Sequence, residues 1–295
     1  MNSRHRDEQT TDREPADQPG LGRVLAATFL CLITVAGGVT FAATRNDRPA
    51  APTTSGTSSP LPTTTRVAPG ITDGFGVPAA DVFGRRVDIP VDPAGTIIAA
   101  RPDLQRKPSD LDWLTAPPAG LCDHRTGHAE CAPGGWQKIH GAVVPMSSSD
   151  GPTRLDHGIA AGYAHTPQGA ALAAAYTIYE IAARPGDRKL RDERAVLTAD
   201  DQHNFDTAAA AGQLPMQLAE LYTQWMLAVD AFRIDSYAPD YAVVSLAARA
   251  PGDTEPTWSA VAVPMVWRDG DWRVRGTGQQ LPTSTIHDLA GWTSW

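Results

Sequence analysis

Four groups of residues in this chain have side chains that could do chemistry. CDHRTGHAEC places Cys122, His124, His128 and Cys131 together, and a Cys2His2 set can close a tetrahedral zinc site. The spacing is not that of a known finger. Two cysteines in an exported segment more often form a disulfide, and a loop of this size would gain on the order of 2–3 kcal/mol from one. We therefore expect a Cys122–Cys131 disulfide, with metal binding and free thiols as the alternatives. HTPQG (His165–Gly169) could offer a base or a ligand at a helix start. SSSDG (Ser147–Gly151) carries nucleophile-type residues, although Ser/Asp/Gly clusters are usually turns. Tyr176, Tyr179, Asp235 and Tyr237 could supply a Tyr/Asp acid–base pair, but nothing in their spacing requires it.

No hydrolase signature accompanies these residues. The chain lacks G-x-S-x-G, H-E-x-x-H and S-x-x-K, and it has neither a P-loop nor a dinucleotide fingerprint. The net charge of −8 argues against direct nucleic-acid binding, which needs a basic face to displace counterions. No cofactor or metal is expected. Three cysteines are too few for a disulfide-dense scaffold, and Cys31 reads as a small apolar residue within an apolar run.

The elements that must position these groups begin with that run. Val24–Ala43 holds twenty uncharged residues, enough at about 1.5 Å per residue to cross a hydrocarbon core of roughly 30 Å. We expect a transmembrane helix over 21–43, with a cleaved signal peptide as the alternative. Arg4, Arg6, Arg13 and Arg23 precede the run, while Arg45 and Arg48 come after it. This balance favours a cytoplasmic N-terminus and an extracytoplasmic remainder. Residues 1–20 read as a disordered cytoplasmic tail, and 44–70 as an extended tether rich in Pro, Thr and Ser.

From residue 71 the pattern changes. VFGRRVDIPV, GTIIAA, WQKIHGAVVPM and TRLDHGIAAGYA resemble short strands, so 71–160 reads as an irregular, β-containing extension packed on the C-terminal domain. Thr166 is a good N-cap and Pro167 suits the first helical position. Leu172, Tyr176, Tyr179 and Ala183 then share one apolar face, with Gly169 in the first turn. HTPQG is thus explained as a helix start, and His165 and Gln168 need no catalytic role. Helices are also predicted over 199–211 and from Pro215, the latter with Leu218, Leu221, Tyr222, Trp225 and Met226 on its apolar face. Strands are predicted at VDAFRIDSY, YAVVSLAARA and TWSAVAVPMVW, where Pro264 calls for a bulge or an edge. In WRDGDWRVR, Asp269-Gly270 suits a type I′ hairpin, with Trp267 and Trp272 set to pair across it.

Helices followed by an antiparallel meander make an α+β domain over 161–285, with 286–295 as a tail. GYAHTPQGAALAAAY, with SSSDGPT before it and VPMVWRDGDWRV after it, resembles a group of actinobacterial membrane-anchored proteins often associated with integrative and conjugative elements. The resemblance covers residues 75–280. The architecture is also similar to nuclear transport factor 2-like (cystatin-like) cones, including inner-membrane scaffold subunits of conjugation and type IV secretion systems. These resemblances imply a curved sheet wrapped on a long helix, held outside the membrane on one span. They imply a non-enzymatic role in assembling an envelope complex, with further copies of the chain or other envelope proteins as partners. Cones of this superfamily can also host ligand-binding proteins or isomerase-like acid–base enzymes, which is the alternative.

Overall fold

The structure is a computed structural model, and it describes residues 74–121, 133–252 and 255–295. The expected tail, span and tether, and the Cys122–Cys131 bridge, lie outside the described residues. Among the described residues no helix is long and apolar enough to cross a membrane.

The chain folds as an α+β arrangement. The N-terminal part makes three two-stranded units: β1 (Ala79–Ala80) with β2 (Arg86–Val87), β3 (Trp136–Ile139) with β4 (Ala142–Pro145), and β5 (Arg154–Asp156) with β6 (Ile159–Ala161). GTIIAA, read as a strand, has no regular pairing. The Gln137 side chain takes the place of a strand there, accepting from the Thr96 N–H at 2.8 Å and donating to its carbonyl at 2.7 Å.

Next come α1 (Pro167–Ala183), α2 (Arg188–Arg194), β7 (Ala195–Val196), α3 (Ala199–Ala210) and the single turn α4 (Glu220–Thr223). The strands β8 (Ala231–Ala238), β9 (Tyr241–Arg249), β10 (Trp258–Arg268) and β11 (Asp271–Arg275) then run as an antiparallel meander, followed by β12 (Thr283–Ile286) and β13 (Thr293–Ser294). The seven-stranded sheet has the order β13-β8-β9-β10-β11-β7, with β12 also on β10 and only the β11–β7 pair parallel.

Helix α1 organises the core. Every residue of it except Ile181 is buried. It packs across β8, β9, β10 and β11 on one side and against β4 on the other. A helix covered on both sides needs apolar residues all round, which the alanine run provides. The one apolar face expected from its spacing is therefore an underestimate. Residues of β3, β4 and β6 join α1 and the sheet in one hydrophobic cluster.

Three expectations are corrected. The helix expected from Pro215 is only α4, and Leu221, on its apolar stripe, is exposed. The chain before it is engaged elsewhere: the Pro215 carbonyl accepts from the Gly186 N–H, and the Leu218 N–H caps the Ala183 carbonyl. Residues 286–295 are not a tail. β13 pairs with β8, and Trp295 is buried against Phe232 and Trp136, at 4.7 and 5.9 Å between ring centroids. Pro264 sits in an unbroken β9–β10 register opposite Val243, where a bulge or edge was expected. On the other side of β10, pairing passes from β12, which ends at Val261, to β11, which starts at Met265. The Ala262 N–H points to that side, to the Pro282 carbonyl. By strand alternation Pro264 faces the gap between the two partners, so its missing N–H costs no ladder bond.

Candidate functional site

The two stretches singled out in the sequence, around 163–169 and 267–272, meet in space. Asp269 and Gly270 both have positive φ (53° and 78°), which makes the β10–β11 turn type I′ and sets Trp267 opposite Trp272. The Trp272 ring is buried and donates from Nε1 to the Ala164 carbonyl at 3.0 Å. Trp267 stacks on the His165 ring at 4.0 Å with 10° between planes. His165 Nε2 contacts the Pro239 carbonyl. Tyr237 donates to the His165 carbonyl at 3.3 Å, and Trp113 lies edge-on to Tyr237. His165 therefore joins the start of α1 to the β8–β9 turn and the β10–β11 hairpin.

Beneath this aromatic group lies a buried ion pair that the sequence does not reveal. Asp271 Oδ2 accepts from Arg194 Nη1 at 2.8 Å and from the Gly162 N–H at 2.9 Å. Its Oδ1 accepts from the Tyr163 and Trp272 N–H groups. Arg194 Nη2 donates to the Trp272 carbonyl at 2.7 Å. Only residue identity was available as a signal, because Arg194 and Asp271 are 77 positions apart.

Ser147–Gly151 forms the expected turn, closed by the Ser147 N–H on the Gly151 carbonyl. It also does something the sequence did not announce. Thr166 Oγ1 accepts from the Gly169 N–H at 2.9 Å, as an N-cap does, and donates to Asp150 Oδ1 at 2.6 Å. Ser149 donates to Asp150 Oδ2 at 2.5 Å. Burial raises the Asp150 carboxyl above the usual range, against the pull of these two hydroxyls. Gln168 is buried and its amide donates to the Trp113 and Ala116 carbonyls, fastening the N-terminal part to α1.

The candidate acid–base residues do not converge. Tyr176 Oη accepts from the Ala160 N–H at 2.9 Å. Asp235 is held by Arg233 at 2.6 Å and by the Ser245 hydroxyl at 2.5 Å. Burial raises the Tyr176 and Tyr179 phenols far above their usual range and brings Tyr237 up to about 12. A different buried acid, Glu180, accepts from His140 Nδ1 at 2.8 Å and pairs with Arg184 at 3.1 Å. His140 occupies the β3–β4 turn, so this contact holds that hairpin down on α1.

Two features face outward. Met216, Leu221, Tyr222 and Trp225 expose 66, 67, 48 and 36% of their surface within ten residues of chain. A cavity of about 50 Å3 opens between α1, α2 and the segment after β11.

A family model described as "Domain of unknown function (DUF8175)" matches residues 88–294. The match begins just after β2 and ends in β13, so it takes in both the N-terminal hairpins and the helix–sheet half. No curated protein and no solved structure matches the chain.

Proposed function

The chain belongs to the DUF8175 family, and from that premise we propose that it is a non-enzymatic assembly protein of the cell envelope. In this reading a single span over 21–43 holds it in the membrane with a cytoplasmic N-terminus. The domain then stands outside and joins copies of itself or other envelope proteins, in the conjugative setting that the motif resemblance suggests. We read the β8–β11 meander with α1 packed across it as a nuclear transport factor 2-like cone. The consecutive antiparallel order and the central buried helix support that reading.

The observation that carries the proposal is the exposed segment with Met216, Leu221, Tyr222 and Trp225. Apolar and aromatic residues gathered on a surface are what a protein contact uses, whereas single exposed ones mean little. The segment is also well supported from beneath. The Met226 carbonyl accepts from the Val143 N–H at 2.8 Å, and Lys138 pairs with Glu220 at 3.1 Å.

The test is co-purification of two differently tagged full-length copies from detergent-solubilised membranes, with mass spectrometry of what accompanies them. The natural chain is expected to bring down its second copy or a defined envelope protein. A Leu221→Ser/Trp225→Ser variant is expected to lose the partner at least tenfold while unfolding at an unchanged temperature. A natural chain that comes down alone, or a variant that keeps its partner, would defeat the proposal.

A further inference from the structure

The exposed segment before β8 has features that select its partner. Leu221, Tyr222 and Trp225 follow helical spacing along α4, and Gln224 after it keeps helical backbone, so the three share one side of the turn. Thr223 is the inward residue, and it is buried where Gly141 leaves it room. The Leu218 N–H on the Ala183 carbonyl and the Val143 N–H on the Met226 carbonyl hold the segment at both ends. The outward side chains therefore stand on a fixed backbone, and little ordering is needed before contact.

Charge, rim chemistry and area all point to a second copy of this chain. The chain carries a net charge of −8, so two copies repel one another over most of their surface. From Gly212 to Val229 the sequence holds one charged residue, Glu220, and Lys138 pairs with it at 3.1 Å. Such a face can meet its own likeness without repulsion. Gln213, Gln217 and Gln224 are exposed along the same stretch. An amide both donates and accepts, so it is its own complement across a two-fold axis, which a carboxylate or an ammonium is not. Met216, Leu221, Tyr222 and Trp225 together expose on the order of 500 Å2. Two copies would remove about twice that, which reaches the roughly 1,000 Å2 that a specific interface needs before any amide is counted.

We infer that the chain pairs with a second copy about a two-fold axis through this segment. The inference rests on the proposed envelope reading, in which one span holds every copy the same way up, as an axis normal to the membrane requires.

The test is photo-crosslinking in membranes that hold two differently tagged full-length copies, each with Tyr222→p-benzoylphenylalanine. An adduct carrying both tags is expected, with the crosslink mapped by mass spectrometry to residues 212–225 of the second copy. The same probe at Leu111, which is fully exposed elsewhere, is expected to give none. Recognition of self is read by charge. Copies that all carry Gln217→Glu/Gln224→Glu, or all Gln217→Lys/Gln224→Lys, are expected to lose the adduct at least fivefold at an unchanged unfolding temperature. A mixture of the Glu and Lys copies is expected to restore it. An adduct to a different protein would overturn the self-pairing while leaving the envelope assembly role intact. An adduct to lipid alone, or no adduct from a chain that also purifies alone, would overturn both. Like-charged copies that crosslink as well as the natural chain would overturn the two-fold contact.

Discussion

Asp150 shows how far a single residue's role can depart from its local context. Its carboxylate is fed by two hydroxyls, one of which also caps α1, yet burial still raises its pKa above the usual 3.8. A carboxyl raised in the folded state stabilises that state when protonated. This contribution is complete below the unfolded value and is lost as pH rises through the folded one. The unfolding free energy of the natural chain minus that of Asp150→Asn is therefore expected to be flat below about pH 4 and to fall as pH rises above it. Urea unfolding at a series of pH values measures this. Asp230, also raised by burial, is present in both proteins and drops out of the difference. A difference that grows with pH would mean that the hydroxyls outweigh burial. SSSDG was legible as a turn because its residue types favour one. That Asp150 would lie under the cap of α1 was not, since the partner Thr166 is 16 positions away.

At the scale of elements, the start of α1 gives the sharpest test. Helix propensity alone favours Gly169→Ala by about 1 kcal/mol. The fold opposes it, because a Cβ there would lie 2.0 Å from the Ala164 carbonyl oxygen, which is backbone. That same carbonyl accepts from Trp272 Nε1, so it is not free to move away. We expect a net loss of about 1–3 kcal/mol or more in thermal or urea unfolding. A gain would show that the 164–169 backbone yields. Thr166, Pro167, Asp269 and Gly270 were legible because caps and type I′ turns are local chemistry. α2 was not read, since RKLRDER carries no apolar stripe and its N-cap, Asp187, comes immediately after a Pro-Gly break. The helix expected from Pro215 had the right stripe, but its chain is drawn onto the end of α1.

For the molecule as a whole, the outer cover of α1 decides what can fold alone. The β3–β4 hairpin lies on that side, tied by His140 to Glu180 and by the Met226 carbonyl to Val143. Arg85 adds a second tie, pairing with Asp81 at 2.6 Å and with Asp230 at 3.0 Å just before β8. A fragment of residues 161–295 would leave α1 open along one side. It is expected to lack a cooperative thermal transition and the near-ultraviolet dichroism of buried tryptophan, both of which the full chain should show. A sharp transition in the fragment would mean that the N-terminal part is dispensable. Composition and periodicity by themselves determined the α+β class, the order of the meander strands, the start of α1 and the hairpin turn, because each depends on neighbours a few residues apart. Only the tertiary structure decided that α1 is covered on both sides, that the last residues close the core, and that Arg194 reaches Asp271 while Arg191 keeps an open donor. Those outcomes depend on which distant segments compete for the same surface and the same hydrogen bonds, and no local pattern records that competition.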